Sequence, residues 1–463
     1  MLFSFGVPDL DKLYGEALEE KTTIVIAGHP GSGKTTLASI ICFKNAVNGN
    51  RCLYIGLQED RDKVYGRMRK LGVDLERAEE KGIYKFVKLP ITRSITDLAE
   101  WIIRLVSEYK PKILVIDPVT AVLEVIDEKS QRGWLQNFFY ELSSTVKGLT
   151  VLVAETPPWS KGIEPSKIEF IADVIIVLKH RVERGLVVRT LELKKARSSA
   201  LLLAEIPFTL VEGRGLQVYL PPIIPDIPAE LEELSLPCKS LAESVPGLKG
   251  GLGRGRVVYV SYPPEARGIE PLILALFLAI ANNTKVHYIS YRVSPSSMRE
   301  DIKRNLCKLG VDGDVAEEVL EEYAAFHSTN PFARTAPELY VGLARLVERE
   351  DTGIIVIHAA DLYALALGED FVPTYYNTVN YAKKLGKSLI AVASRIDARI
   401  HRVLSRLADV VVNVRVVRRL AWSYARTVYV WVRGEEPREI PTDVFNACFA
   451  EAVGMIKQLK SAT

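Results

Sequence analysis

The stretch Thr23-Ile-Val-Ile-Ala-Gly-His-Pro-Gly-Ser-Gly-Lys-Thr-Thr-Leu37 reads as an apolar strand, a glycine-rich turn and the start of a helix. From Gly28 to Thr35 it fits the pattern GxxxxGK[ST] without a mismatch. Gly28, Gly31 and Gly33 let backbone N–H groups curl around a polyphosphate. Lys34 brings a point charge to the outer phosphates, and Thr35 offers a hydroxyl to a magnesium ion. The helix that begins there carries Leu37, Ile40, Ile41 and Ala46 in helical period, and its positive end points at the same place. The candidate cradle therefore runs through Gly28, His29, Pro30, Gly31, Ser32 and Gly33 into Lys34, Thr35 and Thr36. A chance glycine-rich turn would need neither the apolar strand before it nor the apolar-periodic helix after it.

At 463 residues the chain is too long for one ordinary core and suits two domains. Its 48% hydrophobic and 25% charged residues are those of a soluble globular protein. The five cysteines, Cys42, Cys52, Cys238, Cys307 and Cys448, are scattered and free of CxxC spacing, so the expectation is neither disulfides nor zinc, and a reducing cytosol. The start has no basic segment followed by a long apolar core, and the longest apolar run, Leu272 to Ala281, suits a buried helix better than a membrane span. A net charge of +3 gives no global argument for nucleic acid. The six histidines do not fall at metal-ligand spacing.

Both halves carry the same signals in the same order, displaced by roughly 235 to 240 residues. Val7-Pro8-Asp-Leu10 answers to Val245-Pro246-Gly-Leu248, and Leu53-Tyr-Ile55 to His287-Tyr-Ile289. Leu71-Gly-Val-Asp74 recurs as Leu309-Gly-Val-Asp312, Ile171-Ala-Asp-Val174 as Leu407-Ala-Asp-Val410, and Arg189-Thr190 as Arg426-Thr427. Short β-branched runs alternate with helix-period segments in each half, the pattern of an α/β fold with a mostly parallel sheet wrapped by helices. The strand candidates of the first half are 22–27, 52–57, 113–116, 150–154, 174–178 and 187–193. Prolines in Leu220-Pro-Pro-Ile-Ile-Pro-Asp-Ile-Pro228 break any regular element. The expected organisation is a first domain over 1–220, a linker over 221–240, a second domain over 241–440 and a terminal helix over 441–463.

The second half keeps the strands without the reactive residues. In place of the phosphate loop it reads Tyr262-Pro-Pro-Glu-Ala-Arg-Gly-Ile-Glu270, which puts a carboxylate where phosphate would lie. Arg267 is the one candidate anion contact there, and a structural role suits it better. Where the first half ends a strand in Asp117, the second ends Ile354-Ile-Val-Ile-His358, and Tyr291-Arg292-Val293 offers no carboxylate after its second strand. The second copy should not hydrolyse a nucleotide.

Lys112-Ile-Leu-Val-Ile-Asp117 is a buried strand ending in a carboxylate placed to hold a magnesium water shell, a meaning it takes from Lys34. With Gly6-Val-Pro-Asp-Leu-Asp11, the phosphate loop, the LGVD segment, Asp117-Pro-Val-Thr-Ala-Val122 and Glu205-Ile-Pro-Phe-Thr209, the first half resembles the KaiC-like branch of the RecA-fold ATPases. The whole chain resembles a two-domain KaiC-type protein with a degenerate second domain. The resemblance implies tandem RecA-like domains, ATP and Mg²⁺ as ligands, and a homo-hexameric ring that binds ATP between neighbouring subunits.

The resemblance also assigns roles. Lys195-Ala-Arg197 stands where the family has a Lys-x-Arg pair reaching into the neighbour's nucleotide, and alternate strand residues share a face; the alternative is a solvated basic patch with Lys194. The family's paired carboxylates after the second strand are replaced by Leu57-Gln58-Glu59-Asp60. Gln58 can orient water without taking its proton, and Glu59 is the candidate substitute, so slow hydrolysis is expected. Glu155 fits the slot of a γ-phosphate sensor, or is only a loop carboxylate. Ile168-Glu169-Phe170-Ile171 lacks the Ser-Thr pair of the family's autokinase domain, which argues against autophosphorylation there.

Trp159, Lys161 and Lys167 sit in loops where ring helicases touch DNA, a weak basis for nucleic acid. The end of the chain has an apolar stripe at Val444, Cys448, Ala452, Met455 and Ile456, which docks on its own domain or, as the minority reading, on a protein partner. The expected function is a cytoplasmic, slow regulatory ATPase. The rivals are a DNA-stimulated recombination or helicase motor and an ATP-binding scaffold with little hydrolysis.

Overall fold

A computed structural model describes residues 3–90, 95–123, 135–156, 170–197, 205–219, 232–264, 268–420 and 423–461. The chain divides into two compact units, Met1–Leu220 and Pro221–Thr463.

The first unit is built on a nine-stranded sheet. In chain order its strands are β1 (Thr23–Gly28), β2 (Cys52–Gly56), β3 (Tyr84–Lys88), β4 (Ile113–Asp117), β5 (Leu149–Glu155), β6 (Val174–Glu183), β7 (Leu186–Ala196), β8 (Glu205–Val211) and β9 (Gly215–Val218). They lie side by side in the order β3-β2-β4-β5-β1-β6-β7-β8-β9. β1 pairs in parallel with both β5 and β6, and every one of its residues is buried, as a central parallel strand covered on both faces requires. One face packs on the helix Lys34–Val47 and on Phe3, Phe5 and Tyr14 from the start of the chain. The other packs on Leu98, Ile102 and Leu142.

The edge strand β3 and the antiparallel β8 and β9 were not among the sequence candidates. β3 alternates exposure because one face meets solvent, which leaves Lys85 and Lys88 among its apolar residues. β6 runs past the candidate end at Leu178 because Lys179 to Glu183 form an exposed hairpin arm with β7. That arm turns through Arg184 and Gly185, both at positive φ, the geometry of a tight two-residue hairpin turn.

The second unit repeats the plan. Two short strands, β10 (Glu233–Leu234) and β11 (Leu252–Gly253), pair with each other. Then come β12 (Val257–Tyr262), β13 (Lys285–Ser290), β14 (Ala324–Ser328), β15 (Thr352–His358), β16 (Ser388–Ser394), β17 (Val410–Leu420), β18 (Ser423–Val432) and β19 (Arg438–Ile440). Their order, β14-β13-β15-β16-β12-β17-β18-β19, matches the first sheet strand for strand with β9 left out. Residues 232–240, assigned to the linker from sequence, hold β10 and the start of a helix, Lys239–Ser244; the proline run at 221–231 lies outside the described residues.

One expectation is corrected. Cys42 pairs with Cys52 and Cys238 with Cys448, with Cα atoms 5.6 and 4.9 Å apart, so among the described cysteines only Cys307 is free. Spacing along the chain could not reveal either bond, because helix-to-strand and helix-to-helix packing brings the partners together. The terminal stripe packs inside its own unit, the first of its two readings: on the helix Thr442–Ser461, Cys448, Ala452 and Ile456 are buried and Val444 and Met455 pack against the same core. That stripe offers no apolar face to a partner. No described helix is long and apolar enough to cross a membrane.

Candidate active site

The site of the first unit forms where β1, β4 and β5 end side by side. Gly28 closes β1, and a Cβ there would lie 2.3 Å from the carbonyl oxygen of Leu178 on β6, so only glycine passes. Gly33 holds φ +105 as it caps the helix Lys34–Val47, a conformation that L side chains avoid. Between them the loop is tied to the end of β5: the Thr156 amide donates to the Gly28 carbonyl at 3.2 Å, and His29 Nδ1 lies 3.3 Å from the Thr156 carbonyl oxygen.

Lys34 is 5% exposed, and its Nζ donates to the His29 carbonyl at 3.0 Å. Glu155 stands 3.8 Å away. Burial pulls the ammonium's pKa below its ordinary value, against the carboxylates of Glu155, Asp117 and Glu59. Such a cation, stripped of water and ringed by carboxylates, is held ready for an anion. The Ser32 hydroxyl is buried with no hydrogen-bond partner. An orphaned donor inside a glycine cradle fits a phosphate oxygen.

Asp117 ends β4 beside Gly56 of β2. Tyr54 Oη donates to its Oδ2 at 2.5 Å, and the Thr35 side chain lies near enough to lower its pKa. Burial raises the Asp117 pKa, opposed by Tyr54, Thr35 and Lys34 and reinforced by the charge of Glu59. The contact between Thr35 and Asp117 places a hydroxyl and a carboxylate together, the hard oxygen donors that magnesium takes. Tyr54 was missed from sequence, since a tyrosine inside an apolar strand looks like core. Thr120 was missed too; its hydroxyl accepts from the Glu155 amide at 3.2 Å and fixes the end of β5.

Gln58 and Glu59 follow β2 in a bend. Gln58 is exposed, while Glu59 is ion-paired with Arg67 on the helix Arg61–Lys70. Glu59 is close enough for its charge to act on both Lys34 and Asp117.

Lys195 and Arg197 lie elsewhere. β6 starts beside the beginning of β1, and β7 returns to that same end. Three and five strand steps, roughly 10 and 16 Å, therefore separate Lys195 and Arg197 from Gly28, where the phosphate loop of their own unit begins. Lys195 Nζ donates to the Ala172 carbonyl at 2.6 Å. Arg197 Nη1 meets Asp173 Oδ1 at 3.0 Å, and Asp173 Oδ2 accepts from the Thr23 amide at 2.9 Å, pinning the first residue of β1. The second unit repeats this clamp: Asp409 Oδ2 accepts from the Val257 amide at 2.9 Å, and Arg433 Nη1 lies 3.6 Å from Asp409 Oδ1. Trp431 stands in that unit where Lys195 would be, beside Val411 as Lys195 is beside Ile175.

The described matching positions of the second unit carry other groups. Glu270 begins the helix Glu270–Ala281 and pairs with Arg426 at 2.8 Å. His358, in the place of Asp117, lies 3.0 Å from Ser290 Oγ, and burial lowers its pKa to about 4. Arg395 Nη2 donates to the Val414 carbonyl at 2.7 Å, laying a guanidinium across the end of β12 and β17. Among the described residues no cluster of metal-ligating side chains occurs in either unit. Trp159, Lys161, Lys167, Glu169 and Arg267 lie outside the described residues.

Residues 3–222 match the family model described as "ATPase: KaiC". The chain is 27% identical over 198 residues to the circadian clock oscillator protein KaiC of Prochlorococcus marinus, covering 42% of this chain and 40% of that protein. It is 29% identical over 206 residues to the protein of that name from Parathermosynechococcus lividus, covering 42% and 37%. A longer match, 26% over 331 residues, is to the circadian clock protein KaiC3 of Synechocystis sp., covering 66% of this chain and 62% of that protein. The chain thus spans less than two thirds of the length of each of these relatives.

Proposed function

The chain is KaiC-like, a member of the RecA superfamily of P-loop ATPases, and from that premise we propose that its first unit binds ATP with Mg²⁺ and hydrolyses it slowly, as a regulatory switch. The observation that carries the reading is the buried Lys34 beside the unpartnered Ser32 hydroxyl, with Thr35 in contact with Asp117. Thr35 and Asp117 would hold Mg²⁺, which when bound neutralises charge on the β and γ phosphates. Lys34 and the loop amides bind the same phosphates and hold them in line for attack by water. Glu59, with or without Gln58, orients that water, and Glu155 reports on the γ phosphate through Lys34.

Lys195 and Arg197 sit at the wrong end of their own sheet, so any charge they lend the reaction goes to a neighbouring subunit. That placement and the family support a homo-hexamer with ATP between subunits. The second unit, without phosphate-binding residues, passes the change to a protein partner.

The test is steady-state ATP turnover of the purified chain, with and without single-stranded DNA, beside its mass with and without ATP and Mg²⁺. Slow turnover indifferent to DNA, in a particle that ATP enlarges, is the expected result; strong stimulation by DNA would replace the switch with a motor. The scaffold reading draws support from the Glu59 to Arg67 ion pair, which occupies the candidate catalytic carboxylate. ATP binding with no measurable turnover would establish it.

A further inference from the structure

The second unit contains a cavity of about 270 Å³ between the helix Glu270–Ala281, the sheet, the helix Lys239–Ser244 and the helix Thr442–Ser461. Its wall is mainly aliphatic and aromatic, with Leu241, Leu252, Val260, Leu274, Phe445 and Phe449 among the lining. Among the described residues the ionised side chains in that wall are Glu270 and Arg426, paired at 2.8 Å and 44% and 52% exposed. The cavity therefore has an apolar interior and a charged mouth.

The duplication explains why the space exists. The displacement that pairs Val7 with Val245 also pairs Phe3 with Leu241, Phe5 with Glu243 and Tyr14 with Leu252. In the first unit Phe3, Phe5 and Tyr14 are 2%, 0% and 0% exposed and fill the corresponding face. The second unit has lost those rings and walls the space with a helix held by the Cys238–Cys448 bond. Protein interiors leave few voids larger than a water molecule, and an apolar cleft of this size takes apolar guests.

We propose that the second unit binds a medium-chain aliphatic carboxylate as a free monomer, its chain in the cavity and its head on Arg426 in place of Glu270. At about 30 Å³ for each water-sized group, the space accepts roughly eight to ten carbons. The planar guanidinium matches a carboxylate through two parallel hydrogen bonds. The site lies wholly in the second unit and is independent of the phosphate-loop reading.

Calorimetric titration of the full chain with straight-chain carboxylates of six to twelve carbons, and with decanol, tests this. Affinity should climb by about fourfold per methylene and level off once the chain fills the cavity. Decanoate should bind at least tenfold more tightly than decanol, and Arg426→Gln should erase that margin while decanol still binds. Leu252→Tyr, which restores the residue of the first unit, should abolish binding of both; Leu241→Phe, a smaller change, should shorten the longest chain accepted. The proposal fails if decanoate does not saturate, if affinity rises through twelve carbons without levelling, or if Arg426→Gln leaves the preference for the carboxylate intact.

Discussion

Arg197→Ala, set against Arg433→Ala, separates a catalytic charge from a structural clamp. Both arginines hold the aspartate that pins the first residue of a central strand, Asp173 at 3.0 Å and Asp409 at 3.6 Å, and both are well exposed, at 62% and 70%. Ion pairs so exposed contribute about 1 kcal/mol or less. Either substitution should therefore lower the unfolding midpoint of its unit by about 2–4 °C at most. Only the first unit has a phosphate loop for a neighbour's arginine to serve. A charge supplied to a transferring phosphoryl group from outside the loop contributes on the order of 10³–10⁵ in rate. Arg197→Ala should thus cut ATP turnover at least about 100-fold, with ATP affinity within a few fold because Lys34 and the loop amides still hold the phosphates. Arg433→Ala should leave turnover unchanged. The assay is phosphate release at saturating ATP, with equilibrium binding of a fluorescent ATP analogue and a thermal melt on each variant. Turnover of Arg197→Ala within about threefold of the parent, or an equal loss in Arg433→Ala, would refute the assignment and leave both arginines as clamps.

Three other outcomes are expected. Lys34→Met should abolish nucleotide binding yet leave the melting temperature equal or higher, because it removes a buried ammonium whose pKa burial already depresses; a clear loss of stability would mean the cation is structural. His287 is fully buried with both ring nitrogens unpartnered, and burial, with Arg349, Lys285 and His327 adding to it and Asp351 opposing, lowers its pKa to about 4. The unfolded chain therefore binds the proton first as pH falls from about 6.5, and about 3 kcal/mol present at neutral pH is lost by about pH 4. His287→Phe should flatten urea-denaturation midpoints across that window, and an unchanged slope would count against it. Cys238→Ser opens a bond spanning 210 residues, which the chain-entropy model values at about 5 kcal/mol. Its denaturation midpoint should fall to that of the reduced second unit, and a midpoint equal to the oxidised parent would show that the bond contributes nothing.

What the sequence disclosed and what it hid follow from the range of the interactions. The phosphate loop is contiguous, so its glycines, Lys34 and Thr35 can be read in order, and Asp117 follows because a buried strand that ends in a carboxylate is a local pattern. The strand order is legible because each copy repeats it. Tyr54, Thr120 and Asp173 stand in segments the sequence singles out, but their partners, like those of the two disulfides, lie far off in the chain, so their roles do not show there. Lys195 and Arg197 are intermediate: their spacing on a strand marks them, but only the sheet order puts them at the end away from their own loop.

The comparison between copies carries the argument one step further. The second unit has Glu270 and His358 where the first has its phosphate loop and Asp117, and it keeps the clamp of Asp409 on Val257 and Arg433. Fixing the start of the central strand is therefore a need of the fold, common to both units. Lys195, which has given way to Trp431 where no phosphate binds, behaves as a residue tied to the chemistry instead. Lys195→Ala should consequently resemble Arg197→Ala in turnover and stay close to the parent in stability, because the second unit keeps the same clamp with Trp431 at that position. If Lys195→Ala instead destabilises the first unit as much as Asp173→Ala does, the separation of clamp from chemistry drawn from the two copies is wrong.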